Sequence, residues 1–72
     1  MLKKLVVGGT YLNESGIPFK VFGIGLYGKN YRTEMVLHQN LETTDVLPEM
    51  FTPCVLTKKQ FMKTFKEVPT ND

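Results

Sequence analysis

GIPFKVFGIGLY, residues 16–27, is the stretch on which the fold turns. Gly16 closes a turn, and Pro18, with its φ fixed and no N–H to donate, suits the start of a strand, at a position that need not feed a ladder. From Phe19 the side chains alternate across a pleat, with Phe19, Val21, Gly23, Gly25 and Tyr27 on one face and Lys20, Phe22, Ile24 and Leu26 on the other. Both faces carry apolar groups. That predicts either a strand buried on both sides or one that bends so that each half turns a different face inward. Gly23 and Gly25 favour the bend, because a glycine inside a strand marks a bulge, a barrel corner or a close backbone approach. A ligand lying against bare backbone at these two positions is the sharper reading of the same residues. GIGLYG is not a dinucleotide fingerprint, since no helix follows and the spacing is wrong.

Working outward, residues 2–7 read as a short first strand or a fraying end, interrupted by Gly8 and Gly9. Residues 10–12 read as strand and 13–16 as a turn, so a hairpin leads into the long bent strand. Residues 28–30 make a second turn, and 31–40 a third strand in which Met35, Leu37 and Gln39 oppose Val36, His38 and Asn40. After a polar turn at 41–45, residues 46–51 predict a fourth strand, which the interior Pro48 demotes to an edge or an irregular piece. Cys54, Val55 and Leu56 form a brief apolar run, and then the period changes. Thr57 and Gln60 have the form of a capping box, with Phe61, Met62 and Phe65 on one side of a helix and Lys58, Lys59, Lys63 and Lys66 around the rest. A competing reading keeps helix only over 57–62 and makes 64–68 a last strand. Residues 69–72 read as a disordered polar tail. The fold class expected is mainly β: one domain over residues 1–72, a small antiparallel barrel of four to five strands with a C-terminal helix over its open end.

Seventy-two residues allow a single domain with a marginal core, since a chain this short buries only about 60% of its unfolded surface. Nine basic against seven acidic residues, net +2, is too even to imply a nucleic-acid partner by itself. The single cysteine, Cys54, excludes an internal disulfide and fits a reducing cytoplasm. No apolar run reaches the length of a membrane span, so no membrane partner is expected. The opening MLKKLVVGG has the basic and apolar parts of an export signal, but its apolar core of Leu5, Val6 and Val7 is too short for one.

GGTYLNESGIPFKVFGIG resembles the opening of a family of small bacterial and phage domains of unknown function whose pattern runs G-x-Y-x-H-x-x-G-x-x-Y-x-V-x-G-x-A. Gly9, Tyr11, Gly16, Phe19, Val21 and Gly23 fall on the matching positions. The family's central VVYR-x-L is similar to the run at Val36, Leu37, His38, Gln39 and Leu41. Its closing V-R-P-L-E-M-F resembles VLPEMF at 46–51 or, in the preferred alignment, VLTKKQF at 55–61. Asn13 stands where the family has histidine, His38 where it has tyrosine, and the usual tryptophan is missing. The resemblance spans residues 8–68 and implies a compact barrel of roughly Src-homology-3 type. It carries no activity.

No catalytic constellation emerges, so an enzyme is not expected. His38 and Cys54 could formally make a nucleophilic pair, but Cys54 lies beside Pro53 in an apolar run and reads as a buried, inert thiol. No metal-ligand spacing and no phosphate-cradling loop occurs, and no cofactor is expected. What remains is a band of basic and aromatic residues, Lys20, Tyr27, Lys29, Tyr31 and Arg32, with His38 on the neighbouring strand, of a kind that can stack bases and neutralise phosphates. The blander reading packs both tyrosine rings on the barrel with their hydroxyls in water. A second candidate surface is the run from Pro48 to Pro53 with Met50 and Phe51. The function expected is a non-catalytic binding module, such as a phage-encoded inhibitor that occupies a host protein. The alternatives are an oligomeric sponge for a small cyclic nucleotide, or a weak nucleic-acid binder. A protein partner leads, and self-association into a homo-oligomer is the other expectation.

Overall fold

The computed structural model describes residues 2–69. Five strands, β1 (Thr10–Leu12), β2 (Pro18–Tyr27), β3 (Thr33–Asn40), β4 (Pro53–Thr57) and β5 (Lys66–Glu67), and one helix, α1 (Lys58–Thr64), follow in the order β1, β2, β3, β4, α1, β5. The strands form one antiparallel sheet in the order β4-β3-β2-β1-β5. The mainly β class with one short helix is as expected. The sheet does not close: β4 and β5 stand at opposite ends, so the barrel is an open, curled sheet.

The bend in β2 is a register shift. Val21 pairs with His38 but Gly23 with Leu37, so Phe22 is an extra residue with no partner in the ladder. Before the bulge Phe19 and Val21 face the core. Beyond it Ile24 shares a face with its partner Val36, and Gly23, Gly25 and Tyr27 turn to the opposite face with Leu37, Met35 and Thr33. Strict alternation placed Phe19 and Tyr27 on one face; the inserted Phe22 separates them.

The core lies on one side of the sheet. Tyr11, Phe19, Val21 and Val36 meet Phe61 and Phe65 from the far end of the chain. Thr57 Oγ1 accepts the Gln60 N–H at 3.1 Å, which starts α1 where the capping pattern predicts. The helix stops at Thr64, because Phe65 is extended (φ −94°, ψ 158°), and β5 follows; the competing reading of a shorter helix and a last strand lies nearer the outcome. Phe61 and Phe65, four apart, stack with ring centroids 4.0 Å apart. Residues 2–7 are neither sheet strand nor fraying end. They form a strap across the core, with Leu2 buried, the Leu2 N–H on the Met62 carbonyl (2.8 Å) and the Val6 N–H on Tyr11 Oη (2.9 Å). The strap needs glycine at position 9: a Cβ there would lie 3.0 Å from the Val6 carbonyl oxygen and 3.1 Å from the Tyr11 hydroxyl. Of the expected tail, residues 70–72 lie outside the described residues.

The fourth strand is displaced. Residues 46–51 hold no strand, and β4 is built instead from the short apolar run after Thr52. The third strand starts at Thr33, two residues later than expected, because Tyr31 is still in the turn with φ 51°.

Candidate binding surface

Asn40, the last residue of β3, is fully buried and organises the loop that follows. Its Nδ2 donates to the carbonyls of Glu42 (2.9 Å) and Glu49 (2.8 Å), and its Oδ1 accepts the Thr52 N–H (2.8 Å). Its own carbonyl accepts the Phe51 N–H at 2.9 Å. Four bonds from one residue thus tie both ends of residues 41–52 to the sheet. Inside the loop the Thr44 N–H reaches the Leu47 carbonyl (2.8 Å), the Leu47 N–H reaches Thr44 Oγ1 (2.9 Å), and Thr52 Oγ1 donates to the Glu49 carbonyl (2.8 Å).

That scaffold turns Leu47 inward against the core and leaves Val46 (86% exposed), Met50 (49%) and Phe51 (55%) in water. Phe51 sits at φ 60°, a left-handed conformation that a bulky side chain adopts only when its surroundings impose it. Met50 and Phe51 were legible as candidates; Asn40 and Val46 were not. The available signal was an asparagine ending a strand before a polar turn, which is common in chains with no such clasp. Between the loop and the β1–β2 turn lies a cleft of about 480 Å³, lined by the apolar Ile17, Phe19, Val46 and Leu47 and by the polar Ser15 and Asp45 among others. Asn13 shapes that wall by accepting the Ser15 and Ile17 N–H groups on its Oδ1 (3.0 and 2.8 Å).

The basic and aromatic band divides. Tyr27, Lys29, Tyr31 and Arg32 gather, exposed, at the β2–β3 turn, which the Tyr31 N–H to Gly28 carbonyl bond (3.1 Å) and the Arg32 N–H to Asn30 Oδ1 bond (3.2 Å) fix. The rings of Tyr27 (67% exposed) and Tyr31 (69%) are free of the core, contrary to the packed arrangement. Lys20 is at the other end of β2, opposite Gln39. His38 does not belong to the band: it is 3% exposed, boxed by Phe19, Phe61 and Phe65 with ring centroids 5.4, 5.0 and 5.5 Å away. Its strand phase puts it on the core face, and its Nδ1 faces the Val36 carbonyl at 3.0 Å.

His38 and Cys54 are brought opposite each other across β3 and β4. Burial holds the imidazole below its usual value, outweighing the Val36 carbonyl, and burial pushes the thiol up. Both are neutral near pH 7, and the Cys54 thiol donates to the Thr52 carbonyl at 3.4 Å. Nor are the strand glycines bare. Leu37 lies over them, its Cδ1 3.3 Å from where a Gly23 Cβ would be and 4.0 Å from that of Gly25, which fills the place proposed for a ligand. Among the described residues no three His, Cys, Asp or Glu side chains gather as a metal site, and no helix is long and apolar enough to cross a membrane. Neither a family model, nor a curated protein, nor a solved structure matches the chain.

Proposed function

We propose that this chain is a non-catalytic binding module that occupies a protein partner through the loop at residues 41–52. The observation that carries the reading is the buried Asn40 holding that loop at both ends while Val46, Met50 and Phe51 stand in water. An apolar group displayed on a preformed loop loses little freedom when a partner covers it, so more of its burial becomes affinity. A phage-encoded inhibitor that occupies a host protein is one protein of this kind. The test is capture from host lysate with wild type beside Met50→Asp/Phe51→Asp. A partner retained by wild type and lost by the double variant, with the variant's melting temperature unchanged, is the expected result; equal capture by both removes the loop from the interface.

A second reading is favoured by the exposed rings of Tyr27 and Tyr31 beside Lys29 and Arg32. These groups could stack on bases and neutralise phosphates, as a weak nucleic-acid binder or a nucleotide sponge would require. Fluorescence polarisation with a single-stranded oligonucleotide, at low and high salt, checks it. Tyr27→Ala/Tyr31→Ala should weaken binding at both salts and Arg32→Ala should flatten the salt dependence. A melting screen against cyclic nucleotides separates the sponge, which predicts a ligand-dependent rise in melting temperature.

A further inference from the structure

The two edges of the sheet are built differently. β5, at one end, is only Lys66–Glu67, both charged, with Pro69 soon after. A short edge carrying charge and followed by proline resists further pairing. β4, at the other end, is the five-residue PCVLT, with no charge in it and its one proline at the first position. Its inner side is paired with β3 from Met35↔Thr57 to Gln39↔Pro53. Among the described residues no strand pairs with its outer side. Val55, in the middle, is 52% exposed on the open face beside its partner Leu37. Cys54 and Leu56, on the core face, are only partly buried.

From this asymmetry we infer that β4 is where two copies of this chain join, antiparallel about a two-fold axis at Val55, into one ten-stranded sheet. In that register Val55 meets the second copy's Val55, Cys54 meets Leu56, and Pro53 meets Thr57. No like charges face each other, and the prolines fall at the ends of the new ladder, where a missing N–H interrupts least. The second copy is the occupant that fits because its β4 is already extended, uncharged and without an outer neighbour. A free peptide would first have to be ordered, at an entropic cost the preformed strand does not bear. Both copies of α1 lie on one side of the joint sheet. On the other, Leu37 and Val55 of each copy form one apolar stripe.

Sedimentation equilibrium of the full chain from micromolar to millimolar concentration tests this. The mass should rise from 8.2 kDa toward twice that value, and Val55→Lys, which sets two cations face to face, should return it to one chain at the same concentration. Val55→Cys in a Cys54→Ser background provides a second readout, since directly opposed Cβ atoms lie near disulfide range. It should form a covalent dimer on mild oxidation, whereas Lys59→Cys in that background should not. If Val55→Lys fails to fold, the cross-link decides. A wild type that stays at the mass of one chain throughout overturns the inference, also where its β4 takes up an added extended peptide instead. So does a dimer that survives Val55→Lys and whose Val55→Cys form does not cross-link.

Discussion

Asn40 works against its own burial. An amide side chain with no exposed surface is tolerable only because both of its polar ends are bonded, and those bonds are what the loop is made of. Asn40→Ala should lower stability by about 2–4 kcal/mol, because it removes the side-chain partner of the Glu42 carbonyl and the Thr52 N–H and leaves the Glu49 carbonyl only the Thr52 hydroxyl. Urea denaturation measures this, and a loss below about 0.5 kcal/mol would mean the loop holds itself. Asn40→Asp replaces the Nδ2 donor with an acceptor facing the Glu42 and Glu49 carbonyls in a buried site, and should cost at least as much as Asn40→Ala. His38 makes the opposite demand, to stay uncharged. Its folded value lies below the ordinary 6.5, so above pH 6.5 neither state takes up a proton and its burial is free of that penalty. As pH falls through 6.5 the unfolded chain protonates first, and stability drops until the folded value is reached. Melting temperature should therefore fall between pH 7.5 and 5, and His38→Leu should flatten that slope.

At the level of elements, the sequence was legible where one local rule decided the outcome. Thr57 with Gln60 marks the start of α1 on capping chemistry alone, and Thr57→Ala should cost about 1 kcal/mol by thermal melting. Phe61 is fully buried, so Phe61→Ala should cost about 3–5 kcal/mol. β2 was readable as bent because its glycines and its apolar groups on both faces agreed, but the place of the bulge was not. Phe22 is as good a strand residue as its neighbours, and only the pairing with β3 decides which of them is left over. Residues 46–51 misled for a related reason. Val46 and Phe51 are β-formers and Leu47 and Met50 are apolar, yet Pro48 and the clasp from Asn40 keep the backbone out of a strand, and the strand moves beyond Thr52. The basic and aromatic band was half legible: neighbours in the turn stay together, whereas Lys20 and His38 are separated from it by strand length and by face.

The molecule as a whole is one sheet covered on one side. Its core is shared between α1 and the strap at residues 2–7, so the strap matters beyond its length. Deleting residues 1–5 removes the buried Leu2 and the partly buried Leu5, about 2–4 kcal/mol of apolar burial. For a domain this small that should lower the melting temperature by about 10–20 °C. Calorimetry on the truncated chain would show it, and an unchanged midpoint would mean the helix alone closes the core. The pairing of Leu2 with Met62, and of Tyr11 with Glu67, joins residues made early to residues made late. During translation, then, the β2–β3 hairpin is made before Phe61 and Phe65. Until Phe61 and Phe65 join it, the apolar face of that hairpin is uncovered, and a partly made chain is open to association through it.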